Sequence, residues 1–539
     1  MFPPPNQTRI LICDDLHEKA LECFRKAGYE PELRLGMNEK ELIAAVPGVH
    51  ALVVRSATKI TAPVLAAADT LAVVGRAGVG VDNVDCDAAT MRGVVVMNTP
   101  TGNTTTTGEL AIALLTSIAR HIPRADRQTR GGDWKKKALM GTELTGKTLG
   151  VIGLGRIGRV VATRALGLSM NVIASDPFLS KAGASSPIDG VMLMSLEELL
   201  AQSDFVTLHV PISDDTRNLL SRERLALMKP GARLINAARG GLVDEVALAE
   251  ALESGHLAGA ALDVLAQEPP APENPLLGRE DVILTPHLGA SSLEAQENVA
   301  VGIAEQISTY FQQGVAHNAV NAPAVSDHTL RSLRHYILLA EKMGRYLAQR
   351  TVEPIRKIEF TVSGEVQAED DGYLALTFLV AVLSQGLEGG VNFVNAPGLA
   401  NERGIRLLTA CEEESSFFPS QLKARVSTKG GAETHLVTGT VFGEQPRFVR
   451  IDATHVDLAP EGVMLITKHN DRPGVLGAIG TVLGKANINI RRAELGPAKQ
   501  SADGLASAFL TLYDDPADGV VAAVTALDGI EQVRRIRLG

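Results

Sequence analysis

The stretch Leu149–Asp176, LGVIGLGRIGRVVATRALGLSMNVIASD, decides the fold of this 539-residue chain. It opens on a short apolar run, Leu149–Ile152, which is too brief and too rich in β-branched residues for an amphipathic helix. Three glycines in the spacing G-x-G-x-x-G follow, and they lead into a helical pattern over Ile157–Leu168. A second apolar run, Asn171–Ala174, ends beside Asp176. The stretch therefore predicts a strand, a tight turn, a helix and a second strand that closes on a carboxylate.

Each residue type in this pattern suits a bound dinucleotide. Gly153 permits the sharp turn, Gly155 admits a pyrophosphate close to the backbone, and Gly158 lets the helix pack on the sheet. The helix N-terminus adds oriented N–H groups for the phosphates. Asp176 can accept hydrogen bonds from the adenosine ribose and repels a 2′-phosphate, so NAD is favoured over NADP. A ligand-free turn in an α/β sheet would not explain the acid at the end of the second strand.

The composition excludes several other classes of protein. A hydrophobic content of 45% with 21% charged residues is typical of a globular protein, and the length predicts three or four domains. A net charge of −10 and a single Trp argue against a nucleic-acid partner. The four cysteines show no metal-ligand spacing, which indicates free thiols and no metal. The most apolar run, Leu374–Leu387, is shorter than the ~20 residues that span a bilayer, so we expect a cytoplasmic protein with no membrane partner.

Strand-like and helix-like segments alternate through the first hundred residues, which predicts a parallel α/β sheet ahead of the dinucleotide turn. Two loops there follow predicted strands, where open α/β sheets bind ligands, and they carry Arg55 with Ser56 and Arg76 near Val79. From these residues alone, an anion site and two solvated turns are equally good interpretations. The polar connector Thr101–Thr107 predicts a hinge before a helix that begins at Glu109.

Three polar residues follow later strands of the predicted sheet: Arg239, Glu268 and His287. The carboxyl ends of parallel strands meet at one edge, so these side chains can converge beside the cofactor. His287 suits proton transfer at a hydroxyl, and a carboxylate such as Glu268 would fix its tautomer. Arg239 can bind a substrate carboxylate bidentately. Each residue alone is more often structural, but together, after an NAD pattern, they indicate hydride transfer at a 2-hydroxy acid.

Several motifs resemble segments of one family, the NAD-dependent D-2-hydroxyacid dehydrogenases. They are INAARGGLVDE, AALDVLAQEPP, LTPHLGAS, VRSATKIT, GRAGVGVDNVD and VMNTPTGN. The match is most specific to the branch that oxidises 3-phospho-D-glycerate to 3-phosphohydroxypyruvate, the first step of phosphorylated L-serine biosynthesis. It implies a flavodoxin-like substrate domain, residues 1–102 and 290–322, with a Rossmann NAD domain, residues 103–289, inserted in it.

The resemblance also implies roles for individual residues. It implies cofactor contacts by Gly153, Gly155, Arg156, Ile157, Gly158, Asp176, His209, Ala238, Asp263, His287 and Gly289. It implies substrate contacts by Arg55, Ser56, Arg76, Asn103, the backbone of Val79 and, from the partner subunit of a homodimer or homotetramer, Lys135. Several relatives carry Thr or Ser where this chain has Val79. Two other functions stay open: a glycerate or glyoxylate type of 2-hydroxyacid dehydrogenase, and a non-catalytic NAD-sensing corepressor.

The C-terminal third resembles two smaller domains. Residues 323–456, to which the segment 390–396 (GVNFVNA) belongs, resemble the intervening α/β domain associated with allosteric substrate binding, although no residue there makes a case for a ligand. Residues 460–539 show the order β-α-β-β-α-β of ferredoxin-like folds, and HNDRPGVLGAIGTVLGKANINI resembles the start of an ACT domain. The resemblance implies that His469, Asp471 and Asn489 bind L-serine as a feedback inhibitor. The alternative is an ACT domain that only dimerises.

Overall fold

The computed structural model describes residues 3–181, 186–322, 327–368, 371–386, 390–412, 418–431, 433–498 and 504–539. Within these residues four β-sheets organise the chain. Two are entirely parallel and belong to the first 322 residues, and two are mostly or wholly antiparallel and belong to the C-terminal third. The arrangement confirms the predicted fold class.

The first sheet is parallel and has the strand order β2-β1-β3-β4-β5, which is the flavodoxin-like order. Its strands are β1 (Ile10–Ile12), β2 (Glu32–Leu33), β3 (Ala51–Val54), β4 (Val73–Arg76) and β5 (Val95–Met97). Its helices are α1 (Glu18–Lys26), α2 (Glu39–Ala45), α3 (Ala62–Ala67) and α4 (Cys86–Met91). Alternate residues of β1 and β3 are buried on opposite faces, since one face packs against α1 and the other against α2, α3 and α4.

The second sheet is parallel and has the order β12-β11-β10-β9-β6-β7-β8, the doubly wound Rossmann arrangement. Its strands are β6 (Thr148–Ile152), β7 (Asn171–Ser175), β8 (Val191–Leu193), β9 (Phe205–Leu208), β10 (Ala232–Asn236), β11 (Leu257–Leu262) and β12 (Val282–Leu284). Its helices are α5 (Thr104–Ala119), α6 (Ile122–Arg130), α7 (Arg156–Gly167), α8 (Pro177–Lys181), α9 (Leu196–Gln202), α10 (Arg222–Leu227) and α11 (Glu245–Glu253). The strand order reverses between β6 and β9, so the glycine turn after β6 lies where such sheets bind ligands.

The chain passes between the first two domains at two neighbouring points. Helix α12 (Leu293–Gln313) returns the chain to the first sheet and packs on α1 and β4. The Thr106 hydroxyl lies 3.0 Å from that of Ser292, and the Thr107 hydroxyl donates to the Gly289 carbonyl at 2.7 Å. The predicted connector is shorter than expected, because α5 begins at Thr104 and not at Glu109. Hydrogen bonds therefore connect the two segments in which the chain passes between the domains.

The third sheet, which belongs to the intervening domain, has the order β14-β13-β15-β16-β17-β18. Its strands are β13 (Ile355–Gly364), β14 (Arg406–Glu412), β15 (Ser420–Thr428), β16 (Thr434–Phe442), β17 (Gln445–Ile451) and β18 (Thr454–Leu458). Its helices are α13 (Asp327–Ser332), α14 (Arg334–Arg350), α15 (Asp371–Leu383) and α16 (Ala396–Glu402). The segment 390–396 is not a strand: the Asn392 side chain accepts from two backbone N–H groups and forms a turn ahead of α16.

The fourth sheet has the antiparallel ferredoxin-like order β20-β21-β19-β22. Its elements are β19 (Val463–His469), α17 (Val475–Lys485), β20 (Ile490–Gly496), β21 (Ala506–Leu512), α18 (Asp518–Thr525) and β22 (Ile530–Arg537). The two helices cover one face of the sheet. The other face, with Met464, Phe509 and Ile536, is buried in the same core as α14, so this domain shares its hydrophobic core with the intervening domain. The residue limits that we predicted for the domains stay predictions.

Candidate active site

The turn between β6 and α7 has space for a ligand at one glycine and none at the other two. Gly153 adopts a φ of +90°, and a Cβ there would lie 2.7 Å from the His209 carbonyl oxygen. A Cβ on Gly158 would lie only 2.0 Å from the Gly153 carbonyl oxygen. Gly155, the N-cap of α7, faces open space within 4 Å. The backbone at the start of α7 is therefore unobstructed at Gly155, as the approach of a pyrophosphate to its N–H groups requires.

Asp176 follows β7 and is buried. One carboxylate oxygen accepts from the Leu154 backbone N–H at 3.0 Å, and the other accepts from the Phe178 N–H at 3.0 Å. These bonds hold the carboxylate beside the glycine turn, as a ribose contact requires. The contact itself stays a prediction.

His209 follows β9, directly opposite Gly153. Burial lowers the pKa of His209 to about 4, so the ring is neutral at physiological pH. Its Nε2 atom lies 2.9 Å from the Thr207 hydroxyl, and its Nδ1 atom is buried with no partner among the described residues. The ring is therefore a neutral group with one hydrogen-bonding position unused at the cofactor end of the site.

His287 and Glu268 form the predicted pair. His287 Nδ1 lies 2.8 Å from Glu268 Oε2, and the other oxygen of Glu268 accepts from the Leu265 backbone N–H at 3.0 Å. A carboxylate only accepts, so the proton of the neutral imidazole lies on Nδ1 and Nε2 is left to accept a proton. The His287 side chain is 48% exposed, which leaves it accessible to a substrate.

Asp263 holds the loop that carries His287. Its carboxylate is buried and accepts from the Thr285 hydroxyl at 2.6 Å, the Leu288 N–H at 2.8 Å and the Gly289 N–H at 2.9 Å. His287 itself has a φ of +55°, a left-handed conformation that a residue with a side chain adopts only when its surroundings enforce it. Sequence reasoning assigned Asp263 to the cofactor and missed this supporting contact, since an acid after a strand gives no sign of which backbone groups it binds.

Arg239 follows β10 and reaches towards the first domain. Its Nη1 donates to the Ala238 carbonyl at 2.7 Å, and its Nε donates to Asp82 Oδ2 at 3.1 Å. The Asn236 side chain shapes this turn, because it accepts from the Ala238 N–H at 3.0 Å and donates to the Arg239 carbonyl at 2.7 Å. Sequence reasoning also missed Asn236 and gave Asp82 no role.

A cleft of about 650 Å³ connects these groups with the first domain. Its lining includes Arg55, Ser56, Arg76, Glu268 and His287. The structure therefore brings three predicted substrate contacts to the predicted catalytic pair, although the two groups of residues lie far apart in the chain.

The two arginines of the cleft differ in how they are held: side chains around Arg55 fix its backbone, whereas Arg76 is largely buried with its Nε unpaired among the described residues. The Arg55 N–H donates to Asp14 at 2.6 Å, and the Arg55 carbonyl accepts from the Asn83 side chain at 2.7 Å. Burial, and next the nearby Arg239 guanidinium, lowers the pKa of Arg76 to about 10, so Arg76 still carries its charge at neutral pH. A Cβ on Gly78 would collide with the Arg76 guanidinium, at 1.5 Å from Nη1. Gly78 and Gly80 thus make room for the side chains of Arg76 and Arg239.

Three predicted substrate residues do not line the cleft. The Val79 carbonyl accepts from Asn98, and Asn103 starts α5 with its Oδ1 buried and without a partner among the described residues. Lys135 is exposed and pairs with Asp133 at 3.2 Å. A role for Lys135 therefore requires a second copy of the chain.

The predicted effector residues lie in the fourth domain. His469 is buried at the end of β19, and burial lowers the pKa of its imidazole. Asp471 and Asn489 are exposed, and Gly474 starts α17 with a φ of +94°. Among the described residues, no group of three His, Cys, Asp or Glu side chains could hold a metal ion, and no helix is long and apolar enough to cross a membrane.

Three family models match the chain: "D-isomer specific 2-hydroxyacid dehydrogenase, NAD binding domain" over residues 112–289, "D-3-phosphoglycerate dehydrogenase intervening domain" over 332–452 and "ACT domain" over 463–532. The chain is 42% identical over 530 residues to D-3-phosphoglycerate dehydrogenase of Archaeoglobus fulgidus, which covers 98% of this chain and 100% of that one. It is 42% identical to the Mycobacterium tuberculosis H37Rv protein of the same name, with 96% and 97% covered.

Solved structures resemble the first two domains. The TT0316 protein from Thermus thermophilus is 39% identical with a TM-score of 0.53, and the match covers 58% of this chain and 100% of that one. An NAD-dependent formate dehydrogenase from Staphylococcus aureus, in complex with NAD, is 27% identical with a TM-score of 0.51, covering 56% and 95%.

Proposed function

This chain belongs to the D-3-phosphoglycerate dehydrogenase family, and we infer that it oxidises 3-phospho-D-glycerate to 3-phosphohydroxypyruvate with NAD. This reaction is the first step of phosphorylated L-serine biosynthesis. One observation carries the inference beyond family membership: the cleft joins a proton acceptor, His287, to Arg55 and Arg76, and the charge of Arg239 acts on Arg76 from nearby, which suits a substrate with a carboxylate and a phosphate.

We propose the following roles for the cleft residues. His287 Nε2 accepts the proton of the substrate's C2 hydroxyl as the carbinol is oxidised, and Glu268 keeps the opposite nitrogen protonated. Arg239 binds the substrate carboxylate and the oxygen that becomes the carbonyl. NAD, when bound along the turn of Gly153 and Gly155, supplies the hydride acceptor. His287→Ala should abolish turnover while it spares NADH binding, and activity near that of the wild type would refute the assignment.

The phosphate end of the substrate is assigned to the first domain. Arg55 and Ser56 follow β3 and Arg76 ends β4, so their side chains share one edge of the sheet and one cleft. A phosphate there would meet the charged donors of Arg55 and Arg76. Arg55→Ala should raise the KM for 3-phosphoglycerate more than the KM for D-glycerate, because only the first substrate carries the phosphate.

We further propose that the active form is a homodimer or homotetramer to which Lys135 contributes across the interface. Trp134 and Met140, beside Lys135, are 74% and 78% exposed, and apolar side chains of this size favour burial against another chain. Lys135→Ala should raise the KM for 3-phosphoglycerate, whereas Lys147→Ala serves as a charge-matched control. A monomer with full activity in sedimentation and kinetic measurements would contradict this proposal.

L-Serine is the proposed effector of the ACT domain. Asp471 is exposed next to the start of α17, where a carboxylate can accept from an amino group while backbone N–H groups bind a carboxylate. Serine should inhibit the wild type and the control Asp514→Ala, and inhibit Asp471→Ala much less. Inhibition of Asp471→Ala at the wild-type concentration would refute the site, and lack of inhibition of the full-length protein would favour a domain that only dimerises.

The decisive experiment is NADH formation from NAD with 3-phosphoglycerate and with D-glycerate, each with and without L-serine. We expect turnover that depends on the phosphate and falls with serine. Equal turnover of D-glycerate would favour a glycerate-type dehydrogenase, and no turnover in either direction would favour a sensor of NAD.

A further inference from the structure

One ion pair links the two domains across the active-site cleft. Arg239, after β10 of the NAD domain, donates from Nε to Asp82 Oδ2 at 3.1 Å, and Asp82 lies in the loop after β4 of the first domain. The Arg239 side chain is 28% exposed and that of Asp82 is 59% exposed. Arg239 is thus partly shielded from solvent while Asp82 is exposed, and the pair ties the residue assigned to the substrate carboxylate to the domain assigned to the phosphate.

The surroundings of Arg239 leave its guanidinium little freedom. Nη1 donates to the Ala238 carbonyl, Nε is bound to Asp82, and Nη2 lies against the backbone at Gly80. A Cβ on Gly80 would lie 2.0 Å from Nη2 and 2.7 Å from Asp82 Oδ2. The two hydrogen bonds and this close approach together set the plane of the guanidinium, which decides whether a planar carboxylate can bind it bidentately.

The carboxylate of Asp82 offsets the repulsion between the positive charges of Arg239 and Arg76. Burial lowers the pKa of Arg76 most, Arg239 lowers it further and Asp82 raises it, so the three charges lie close enough to act on one another. Without Asp82 the repulsion between the two guanidinium groups would be offset less, since Asp14 would then be the remaining carboxylate that acts on Arg76. Arg239 would keep its bond to the Ala238 carbonyl but lose the bond that orients Nε.

We propose that Asp82 is a positioning residue for the oxidation reaction: it holds Arg239 across the domain boundary in the orientation that receives the substrate carboxylate. This inference rests on the proposed function, since it takes Arg239 as the group that binds that carboxylate. Asp82 itself does not touch the substrate, because its effect passes through Arg239 Nε. Its removal should therefore weaken substrate binding and leave cofactor binding intact.

The test is a double-mutant cycle with kcat and KM for 3-phosphoglycerate, the Kd for NADH, and the Tm of each variant. Asp82→Ala should raise the KM by about fivefold, the upper end of the effect of an ion pair with this exposure. The Kd for NADH and the Tm should stay at wild-type values. Asp82→Asn keeps an oxygen that accepts from Nε and should restore part of the loss. Asp87→Ala, an exposed acid in the first turn of α4, is the charge-matched control.

The double-mutant cycle distinguishes an effect of Asp82 that passes through Arg239 from an effect that is independent of Arg239. In an Arg239→Lys background, which lacks Nε–H, Asp82→Ala should change kcat/KM by less than about threefold. The reason is that both substitutions remove the same hydrogen bond, so their effects are not additive. An unchanged or lower KM in Asp82→Ala, or the same loss in both backgrounds, would overturn the proposal. Absence of wild-type turnover with 3-phosphoglycerate would instead refute the proposed function, so the two failures are distinguishable.

Discussion

Asp263→Asn tests whether the loop that carries His287 depends on one buried carboxylate. In the wild type, one oxygen accepts from the Thr285 hydroxyl and the Leu288 N–H, and the other accepts from the Gly289 N–H. The asparagine side chain has nearly the same shape, but one of its two terminal atoms is a donor. The substitution therefore changes the hydrogen bonding with little change in packing.

The magnitude follows from how an amide can be oriented at this site. If the Asn oxygen replaces the atom nearer Thr285, the amide nitrogen faces the Gly289 N–H and one buried donor loses its acceptor. If the amide is turned, two donors lose theirs. The first arrangement is the less costly, and one unsatisfied buried donor with the loss of a charge-assisted bond costs about 2–3 kcal/mol. Because His287 needs this loop to keep a φ of +55°, kcat should also fall by at least about tenfold.

The assay is urea unfolding followed by circular dichroism, together with kcat and the Kd for NADH. Asp281→Asn is the matched control, since Asp281 lies beside β12, pairs with Arg279 at 2.8 Å and is 34% exposed. A pair with this exposure contributes about 0–1 kcal/mol. If Asp263→Asn unfolded at the same urea concentration as the control and retained wild-type kcat, the carboxylate would not support the loop and this reasoning would be refuted.

Three more predictions follow from the same geometry. Gly158→Ala should abolish NADH binding and lower the Tm because its Cβ meets a backbone carbonyl at 2.0 Å, whereas Gly155→Ala, with nothing within 4 Å, should keep the Tm and lose only NADH affinity. Glu268→Gln should lower kcat about tenfold or more with an unchanged Kd for NADH, since the amide does not fix the His287 tautomer by charge; an unchanged kcat would contradict that role. The pKa of His209 is depressed to about 4, so the folded protein takes up this proton less readily than the unfolded chain. The free energy of unfolding is therefore unaffected above pH 6.5 and falls by about 3 kcal/mol as the pH drops from 6.5 to 4. His209→Gln should therefore show a Tm that falls less steeply over this range, and equal slopes would disprove the burial argument.

The fourth domain cannot be treated as an attachment that is independent of the third. Gln349, at the end of α14, donates to the Arg537 carbonyl at 2.8 Å and accepts from its N–H at 2.9 Å, and the sheet face beneath shares the core of α14. We therefore expect a displacement of the ACT sheet to reach α14 first. From there the intervening domain reaches the first domain through Asn392, whose side chain donates to the Gly93 carbonyl at 2.7 Å.

The sequence by itself predicted which elements form and where their polar ends fall. The strands Thr148–Ile152 and Asn171–Ser175 and the helix Arg156–Gly167 lie within one residue of the limits that we predicted, because periodicity and capping are local properties. The start of α5 at Thr104 was predicted too late, since four threonines in sequence carry no helical apolar pattern and their helix depends on packing. The turn at Asn392 was missed because side-chain bonds to the backbone leave no periodic signal.

For the site, the sequence indicated which functional groups are present, and the tertiary structure decided which of them are in contact. Gly153, Glu268 and His287 could be found because turns and strand ends have sequence signatures. The support of the His287 loop by Asp263 and the contact between Asp82 and Arg239 could not, because each depends on how two segments far apart in the chain are placed. Residue types specify what a side chain can do, whereas the packing of sheets and domains sets the distances at which it acts.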